Sequence, residues 1–355
     1  MKILAIETSC DETAVTLLEM SGRLERPDIE VLGDSLLSQI ELHEKYGGVY
    51  PNLAKREHEK NLPILLEKTL KEAGESPESP QIDAIAVTEG PGLEPALWVG
   101  INFALELGRK WGKPVIPVNH MEGHIFSTLY KMSEKDSLKL PALALLVSGG
   151  HTELVVVKDF RDYEIIGRTR DDAVGEAFDK VARMLGLPYP GGPKISGLAE
   201  SSRAKKKKIE IEFPRPMIHS KELDFSFSGL KTAVLYKLKS ELRTDGEFKE
   251  DVSRAFEDAA VGVLVEKTRR ALLESGKGIK TLIAAGGVSA NLHLSRELEK
   301  LASEFPSLAL HLPIKYLTTD NAVMIGIAAF IRVTRNPEIL RDQVKIEARG
   351  NLSIS

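Results

Sequence analysis

Ala142-Leu143-Ala144-Leu145-Leu146-Val147, then Ser148-Gly149-Gly150-His151, then Thr152-Glu153-Leu154-Val155-Val156-Val157 reads as strand, glycine turn, strand. This stretch decides the fold, because the chain has the same pattern near its start. There Ile3 to Glu7 is a buried-strand run, Thr8-Ser9-Cys10-Asp11-Glu12 a polar turn, and Thr13 to Leu18 a resumed β-branched alternation. Each hairpin is followed by a further strand-like stretch, Val31 to Leu37 and Tyr163 to Arg168, and then by helical segments. The second halves match as well. Ile82 to Val87 runs into Glu89-Gly90-Pro91-Gly92 and a helix over Pro95 to Trp111, while Thr281 to Ala285 runs into Gly286-Gly287-Val288-Ser289-Ala290-Asn291 and another helix. Two copies of a mixed α/β unit, diverged from one duplication, are the expected architecture. The expected division is residues 1–122 for the first domain, completed by a C-terminal segment 321–355, and 123–320 for the second, with the first boundary falling just after the strand Val115 to Val118.

A chain of 355 residues is long enough for two such cores. Hydrophobic residues at 42% and charged residues at 28% describe an ordinary globular protein. No apolar run reaches the roughly 18 residues of a membrane-spanning helix. The start, Met1-Lys2-Ile3-Leu4-Ala5-Ile6-Glu7, enters a strand at once without an apolar signal core, so a cytoplasmic protein with no membrane partner is expected. Cys10 is the one cysteine, which excludes an internal disulfide and any multi-cysteine zinc cluster. With 48 basic and 52 acidic residues the net charge is −4, so a nucleic-acid partner would have to be met by a local patch or with help from another protein. Arg203-Ala204-Lys205-Lys206-Lys207-Lys208 is a basic run that reads either as a solvated helix end or as an RNA-facing patch. Met132 to Leu140 reads as a polar loop.

Three turns after strands offer backbone N–H groups to an anion: Leu146-Val147-Ser148-Gly149-Gly150-His151, Gly286 to Asn291, and Thr8 to Thr13 with Ser9, Asp11 and Glu12. Any one of them could be a steric turn, but three in a duplicated chain suggest a phosphate site. None fits the Walker or dinucleotide glycine fingerprints. Asn291 is placed to hydrogen-bond a sugar or base.

His120-Met121-Glu122-Gly123-His124 puts two imidazoles at i and i+4, on one face of a helix, where both reach one metal ion. Two neutral imidazoles need an oxygen donor beside them. Asp320 in Leu317-Thr318-Thr319-Asp320-Asn321 is the candidate, and it reads equally well as the N-cap of the following helix, Asn321 to Arg335. The intervening Glu122 is one position too late for H-E-x-x-H and points about 100° away round the helix, which argues against a metallopeptidase. Asp171 to Lys180 mixes acids with small residues before Pro190-Gly191-Gly192-Pro193, and Asp179 is either a ribose acceptor or an exposed helix-start carboxylate. Asp224-Phe225-Ser226-Phe227-Ser228-Gly229-Leu230-Lys231-Thr232 is either a ligand contact or a staple and cap at a helix start.

Taken together, these stretches resemble the bacterial TsaD tRNA threonylcarbamoyladenosine transferases, relatives of the KEOPS catalytic subunit, along nearly the whole chain. The matching segments are Ile6 to Thr13, Gly90-Pro91-Gly92-Leu93, His120 to His124, Leu146 to Thr152, Gly175 to Lys180, Pro190 to Pro193, Asp224 to Thr232, Gly286 to Asn291 and Thr319-Asp320-Asn321. The resemblance implies the duplicated actin/Hsp70-like ATPase fold with a central nucleotide cleft. It implies metal ligands at His120, His124 and Asp320, holding Fe(2+) in the first instance or Zn(2+). Adenylate contacts would fall on Leu146, Val147, Ser148, Gly149, Gly150, Asp179, Gly192 and Asn291.

The implied reaction transfers the threonylcarbamoyl group of threonylcarbamoyl-AMP, made by a separate synthase, to N6 of the adenosine 3′ of the anticodon in tRNAs reading ANN codons. No residue is expected to act as covalent nucleophile. A TsaB-like paralogue and a TsaE-like ATPase are the implied partners beside tRNA. Two features bear on the branch and the partner surface: Leu146 stands where the archaeal and eukaryotic branch has tyrosine, and Gly92-Leu93-Glu94-Pro95-Ala96-Leu97-Trp98 departs from well-known bacterial members. The competing readings are a sugar kinase or ATPase of the same fold, for which the histidine pair has no use, and a non-catalytic scaffold, which would have eroded the site residues.

Overall fold

Both hairpins form in the computed structural model, which describes residues 1–133, 135–241, 245–274, 278–341 and 345–354. In the first half, β1 (Lys2–Glu7), β2 (Glu12–Arg23) and β3 (Arg26–Ser38) are followed by α1 (Ile40–Glu44), α2 (Pro51–Glu72), β4 (Ala84–Gly90), α3 (Glu94–Trp111), β5 (Val115–Asn119) and α4 (His120–Phe126). The second half runs β6 (Ala142–Val147), β7 (Thr152–Asp159), β8 (Asp162–Arg168), α5 (Val174–Met184), α6 (Gly191–Ala204), α7 (Ser228–Ser240), α8 (Gly246–Glu274), β9 (Thr281–Ala285), α9 (Leu292–Ser303), β10 (Ala309–His311) and α10 (Ala322–Arg335). No helix among the described residues is long and apolar enough to cross a membrane.

The two five-stranded sheets have orders β3-β2-β1-β4-β5 and β8-β7-β6-β9-β10. In each, the first three strands form an antiparallel meander, and the fourth and fifth join the first in parallel. Two sheets with the same order and the same pairing directions are the structural counterpart of the repeat seen in the sequence.

The chain divides into two compact units, Met1–Leu138 with Pro313–Ser355, and Lys139–Leu312. These limits differ from the expected ones, 1–122 with 321–355 and 123–320. Residues 123–138 stay with the first unit because α4 packs against α10, and because the Leu138 N–H donates to Glu25 O at 2.8 Å. The described residues of Met132 to Leu140 hold no helix or strand; Glu134, and residues 342–344 and 355 of the C-terminal segment, lie outside the described residues.

In the first unit, β1 is buried on both faces, as a central strand with β2 antiparallel on one edge, β4 parallel on the other and helices on each side should be. Leu4, Ile6, Val15 and Leu17 pack with Leu62, Leu66 and Leu70 of α2 and Leu97 and Ile101 of α3. The other face is covered by α10, which is apolar nearly all round and packs on β1, β2, β5 and α4. In the second unit, β6 and β7 pack with α5 and α8 through Leu143, Leu145, Val156, Phe178, Val181, Phe256 and Leu264.

One glycine fixes how closely α2 lies on its sheet. The register of β2 and β3 shifts between Leu17 and Leu18, opposite Gly33, and a Cβ at Gly33 would stand 2.2 Å from the Thr69 carbonyl oxygen of α2. Gly33→Ala should therefore force the helix away and cost about 1–3 kcal/mol in denaturant unfolding, as overpacking generally does. Gly197→Ala on α6, where a Cβ meets nothing within 4 Å, should be neutral or mildly stabilising.

Candidate metal centre and nucleotide turns

The candidate metal centre lies wholly in the first unit. β5 delivers the chain to Asn119, whose side chain accepts from Met121 N at 2.8 Å and so starts α4 one residue before His120. His120 and His124 then sit one above the other, ring centroids 4.6 Å apart and nearly perpendicular. Asp320 precedes α10, but the cap of that helix is its neighbour: Asn321 Oδ1 accepts from Met324 N at 2.9 Å. Asp320 is thereby left for the histidines, its Oδ1 lying 3.3 Å from His120 Nε2 and 3.2 Å from His124 Nε2. One ligand atom from each of the three residues lies within 4.8 Å of the others.

Glu7, at the end of β1, completes the arrangement and was not singled out from the sequence. Its Oε2 is 3.1 Å from His120 Nδ1 and accepts from Thr88 Oγ1 at 2.6 Å, while its Oε1 accepts from Ser9 N at 2.5 Å. A carboxylate on Nδ1 holds the proton there and aims Nε2 at the Asp320 side, the usual way a protein orients an imidazole that can give up its Nε2 proton to a metal. An acid closing the apolar run Ile3-Leu4-Ala5-Ile6 was the available signal.

Charge in this group is finely opposed. Burial disfavours the imidazolium of His120, yet Asp320 and Glu7 outweigh it and hold the ring protonated well above its ordinary range. Burial likewise opposes ionisation of Asp320 and Glu7, but the His120 charge carries both below the usual carboxylate range. His124 goes the other way: burial lowers it, so it stays neutral. Its Nδ1 is buried without a hydrogen-bond partner, which is costly for a polar group, and Nε2 has only Asp320 Oδ1 at 3.2 Å, outside good hydrogen-bond geometry.

A cation among these atoms would satisfy His124 Nε2. Tetrahedral bonds of about 2.1 Å put neighbouring ligand atoms about 3.4 Å apart, close to the separations here. The His-His-Asp group could therefore bind a metal, and three protein ligands leave a position open.

The turn that follows β1 reaches the histidine pair. Ser9 Oγ approaches His120 Nδ1 at 3.3 Å, while Asp11 and Glu12 are both buried acids. Glu12 is pushed well above the usual range by burial and by Asp11 and Asp320, and Asp11 Oδ2 has no hydrogen-bond partner. Buried acids of this kind favour a cation. Cys10 is a turn residue whose thiol burial pushes up, and its carbonyl accepts from His58 Nε2 at 2.9 Å.

In the second unit the other two turns meet at the carboxyl ends of β6 and β9, where α/β sheets bind their ligands. Leu146 and Val147 are buried in β6, and Ser148 Oγ gathers the N–H groups of Gly150 and His151. The glycines separate into two kinds. A Cβ at Gly175 or Gly286 would stand 2.6 Å from Ser148 O or 2.5 Å from Val147 O, so these two are required by packing, and Gly286 also has φ +93°. At Gly149, Gly150 and Gly287 a Cβ would meet nothing within 4 Å, and at Gly192 only Phe178 Cβ at 4.0 Å. Packing therefore gives no reason for these four to be glycine, whereas a ligand lying close on the backbone would.

Asp179 accepts from Gly191 N at 2.7 Å, tying α5 to the start of α6. Asn291 caps α9 through Leu294 N at 2.9 Å and donates to Glu257 Oε1 at 2.5 Å. Glu257, fully buried on α8, was missed from the sequence; a pair of acids, Glu257 and Asp258, set between apolar residues of a long helix is the signal.

The remaining segments take their structural readings. Asp171 accepts from Phe227 N at 2.8 Å and from the Ser226 and Ser228 hydroxyls, so it caps α7 from outside. In the basic run, Arg203 pairs with Glu257 and Asp258, Lys205 with Glu250 at 2.5 Å, and Lys207 with Glu247 and Asp251 at 2.7 and 2.8 Å. The charges of Arg203, Lys205 and Lys207 are thus paired with acids of α8.

A family model described as TsaD: tRNA N6-adenosine threonylcarbamoyltransferase matches residues 30–327. The protein of that name from Thermosipho africanus is 45% identical over 330 residues, covering 93% of this chain and 94% of the relative. The one from Persephonella marina is 47% identical over 335 residues, covering 94% and 90%. This chain belongs to the TsaD family. It is a transferase of the threonylcarbamoyl-transferring kind, and its substrate class is tRNA. Among solved structures, full-length HypF in a phosphate- and nucleotide-bound form matches with TM-score 0.55 at 15% identity over 94% of this chain and 46% of HypF. HypF from T. kodakarensis matches with TM-score 0.57 at 13% identity over 96% and 49%. The chain thus spans about half the length of those proteins, and the likeness establishes the duplicated actin-like fold.

Two predictions test the centre and the network. His124→Ala and Asp320→Asn should each abolish stoichiometric metal by elemental analysis, whereas Asn321→Ala should keep the metal and lose about 0.5–2 kcal/mol of stability as a helix cap. Full metal occupancy in the first two would refute the centre. In the second unit the carboxyl of Glu200 is held at about 2 by Arg296 and then Arg203; that of Asp258 is brought to about 2 against its burial by His293 and Arg203. Folded values below the unfolded ones give stability that is present above about pH 4 and lost as pH falls towards 2. The stability gap between wild type and Arg203→Ala should therefore narrow from pH 7 to pH 3 in urea melts.

Proposed function

We propose that this chain transfers the threonylcarbamoyl group of threonylcarbamoyl-AMP to N6 of the adenosine 3′ of the anticodon in tRNAs reading ANN codons. The adenosine nitrogen attacks the carbamoyl carbonyl, the bond from that carbon to the phosphate oxygen breaks, N6 loses one proton, and AMP leaves. The observation that carries the reading is the His120, His124 and Asp320 group, two buried imidazoles converging on one carboxylate oxygen, with His120 oriented by Glu7.

His120, His124 and Asp320 would hold a divalent metal, which supplies charge stabilisation for an oxygen of the donor. Two imidazoles and one carboxylate are the set that suits Fe(2+) with open positions, and Zn(2+) is also compatible with it. Ser148, Gly149, Gly150 and Gly192 would offer backbone to the adenylate, beside Leu146 and Val147, with Asp179 and Asn291 fixing the helices around it. Ser9, Asp11 and Glu12 would act on the metal side rather than as a phosphate cradle.

The donor is a mixed anhydride whose leaving group is AMP, so positioning and charge stabilisation suffice. No protein nucleophile is needed. Cys10 supports this, since desolvation and the nearby Asp11, Asp320 and Glu12 hold its half-buried thiol in the neutral, unreactive form. A TsaB-like paralogue, a TsaE-like ATPase and a separate synthase for the donor are partners carried over from the resemblance, as is a cytoplasmic location. A sugar kinase of the same fold would have no use for the histidine pair.

The test is reconstitution with partner proteins, a donor-generating synthase and unmodified tRNA, followed by mass spectrometry of the nucleosides. Threonylcarbamoyladenosine and AMP should appear in equal amounts, and His124→Ala should form neither. No modified nucleoside where a known relative works would defeat the proposal.

A further inference from the structure

We propose that Tyr46 and Tyr50 form a stacking platform for an unpaired base of the tRNA anticodon loop. The two rings stack with centroids 5.7 Å apart and planes 27° from parallel, yet Tyr46 is 55% exposed and Tyr50 53%. Two large aromatic faces side by side in water are an unusual use of surface. Bases have π-faces of their own, and stacking on tyrosine is a sequence-tolerant way to hold them.

The connecting loop, Lys45-Tyr46-Gly47-Gly48-Val49-Tyr50, carries one cation, Lys45, next to the exposed Glu44 that ends α1. Lys45 Nζ lies 5.2 Å from the Tyr46 ring centroid, and Arg56 is exposed early in α2. Gly47 turns the loop with φ +67°, so that both rings come from one short segment. Positive charge beside stacked rings complements a single-stranded RNA loop, whose splayed bases and phosphates need both.

The loop is also fixed relative to the candidate centre within the first unit. Tyr50 N donates to His43 Nδ1 at 3.2 Å, and His43 Nε2 is 3.2 Å from Gln39 Oε1. Gln39 N donates to Asp11 O at 2.9 Å. His58 reinforces this, with Nδ1 3.4 Å from Gln39 Nε2 and Nε2 2.9 Å from Cys10 O. His43 and His58 are both fully buried. The platform is therefore anchored to the turn after β1, the turn whose Ser9 approaches His120. Presenting N6 of one adenosine requires unstacking it from its neighbours, and a platform held at a fixed place can take a neighbouring base.

This inference rests on tRNA as the substrate. The test is fluorescence anisotropy of the full chain with an unmodified tRNA transcript reading an ANN codon. Tyr46→Ala and Tyr50→Ala should each raise Kd about tenfold, the loss of one stacked base. Tyr46→Phe and Tyr50→Phe should bind like wild type, because the ring and not the hydroxyl carries the contact. Lys45→Ala should lower the slope of log Kd against log salt by about one. As a second readout, 2-aminopurine in the anticodon loop should change its fluorescence on binding wild type but not the alanine variants. Folded alanine variants with wild-type affinity would overturn the platform. So would unchanged RNA affinity with turnover lost only when a protein partner is present, which would assign the rings to that partner. A wild-type chain that neither binds nor modifies tRNA would instead overturn the substrate reading, and the platform with it.

Discussion

The close contact of α10 with α4 is the constraint on which the rest of the first unit depends. A Cβ at Gly123 would stand 3.1 Å from both Ile325 Cδ1 and Met324 Cγ, so the two helices touch where α4 has no side chain. His120 and His124 flank that glycine, and Asp320 stands just ahead of the helix that presses on it. The distances among the three candidate ligands follow from this packing. A centre built on helices locked by a core is more precise than one carried on loops.

Much of this was legible in the sequence because it depended on local pattern. The glycine turns between apolar runs announced the two hairpins, and their recurrence announced two like sheets. The spacing of His120 and His124 put them on one helix face. What stayed open was settled by contacts distant in the chain. Asp320 and Asn321 are both good caps, and only the bond from Met324 N to the Asn321 side chain shows which of them is free for the histidines. Glu7 looks like the first polar residue of a turn until Thr88 and His120 are seen around it. The basic run ending α6 could not be told from an RNA-binding patch because its acids lie on α8, forty or more residues further on. The unit boundary moved for the same reason: α4 belongs with a helix two hundred residues later.

The second unit shows how glycine can be read once neighbours are known. Gly175 and Gly286 are where another residue's backbone comes too near for a side chain, and they would be glycine in any chain of this shape. Gly149, Gly150, Gly192 and Gly287 have no such neighbour. That difference is invisible in the sequence, where all six look alike. Asn291 changes meaning too: its side chain already joins α9 to the buried Glu257, so it organises the site around the turns.

The return of the last long helix also has a consequence for how the protein is made. Residues of the first unit leave the ribosome first, but Ala322–Arg335 supplies one side of that unit's core and Asp320 supplies a candidate ligand. Domains generally fold as units, in order of synthesis. Here the middle of the chain, Lys139–Leu312, is complete before the unit that began the chain. The nascent β1 and β2 must wait with one face uncovered through the synthesis of an entire second unit, and the first-made half of the molecule is the last to close.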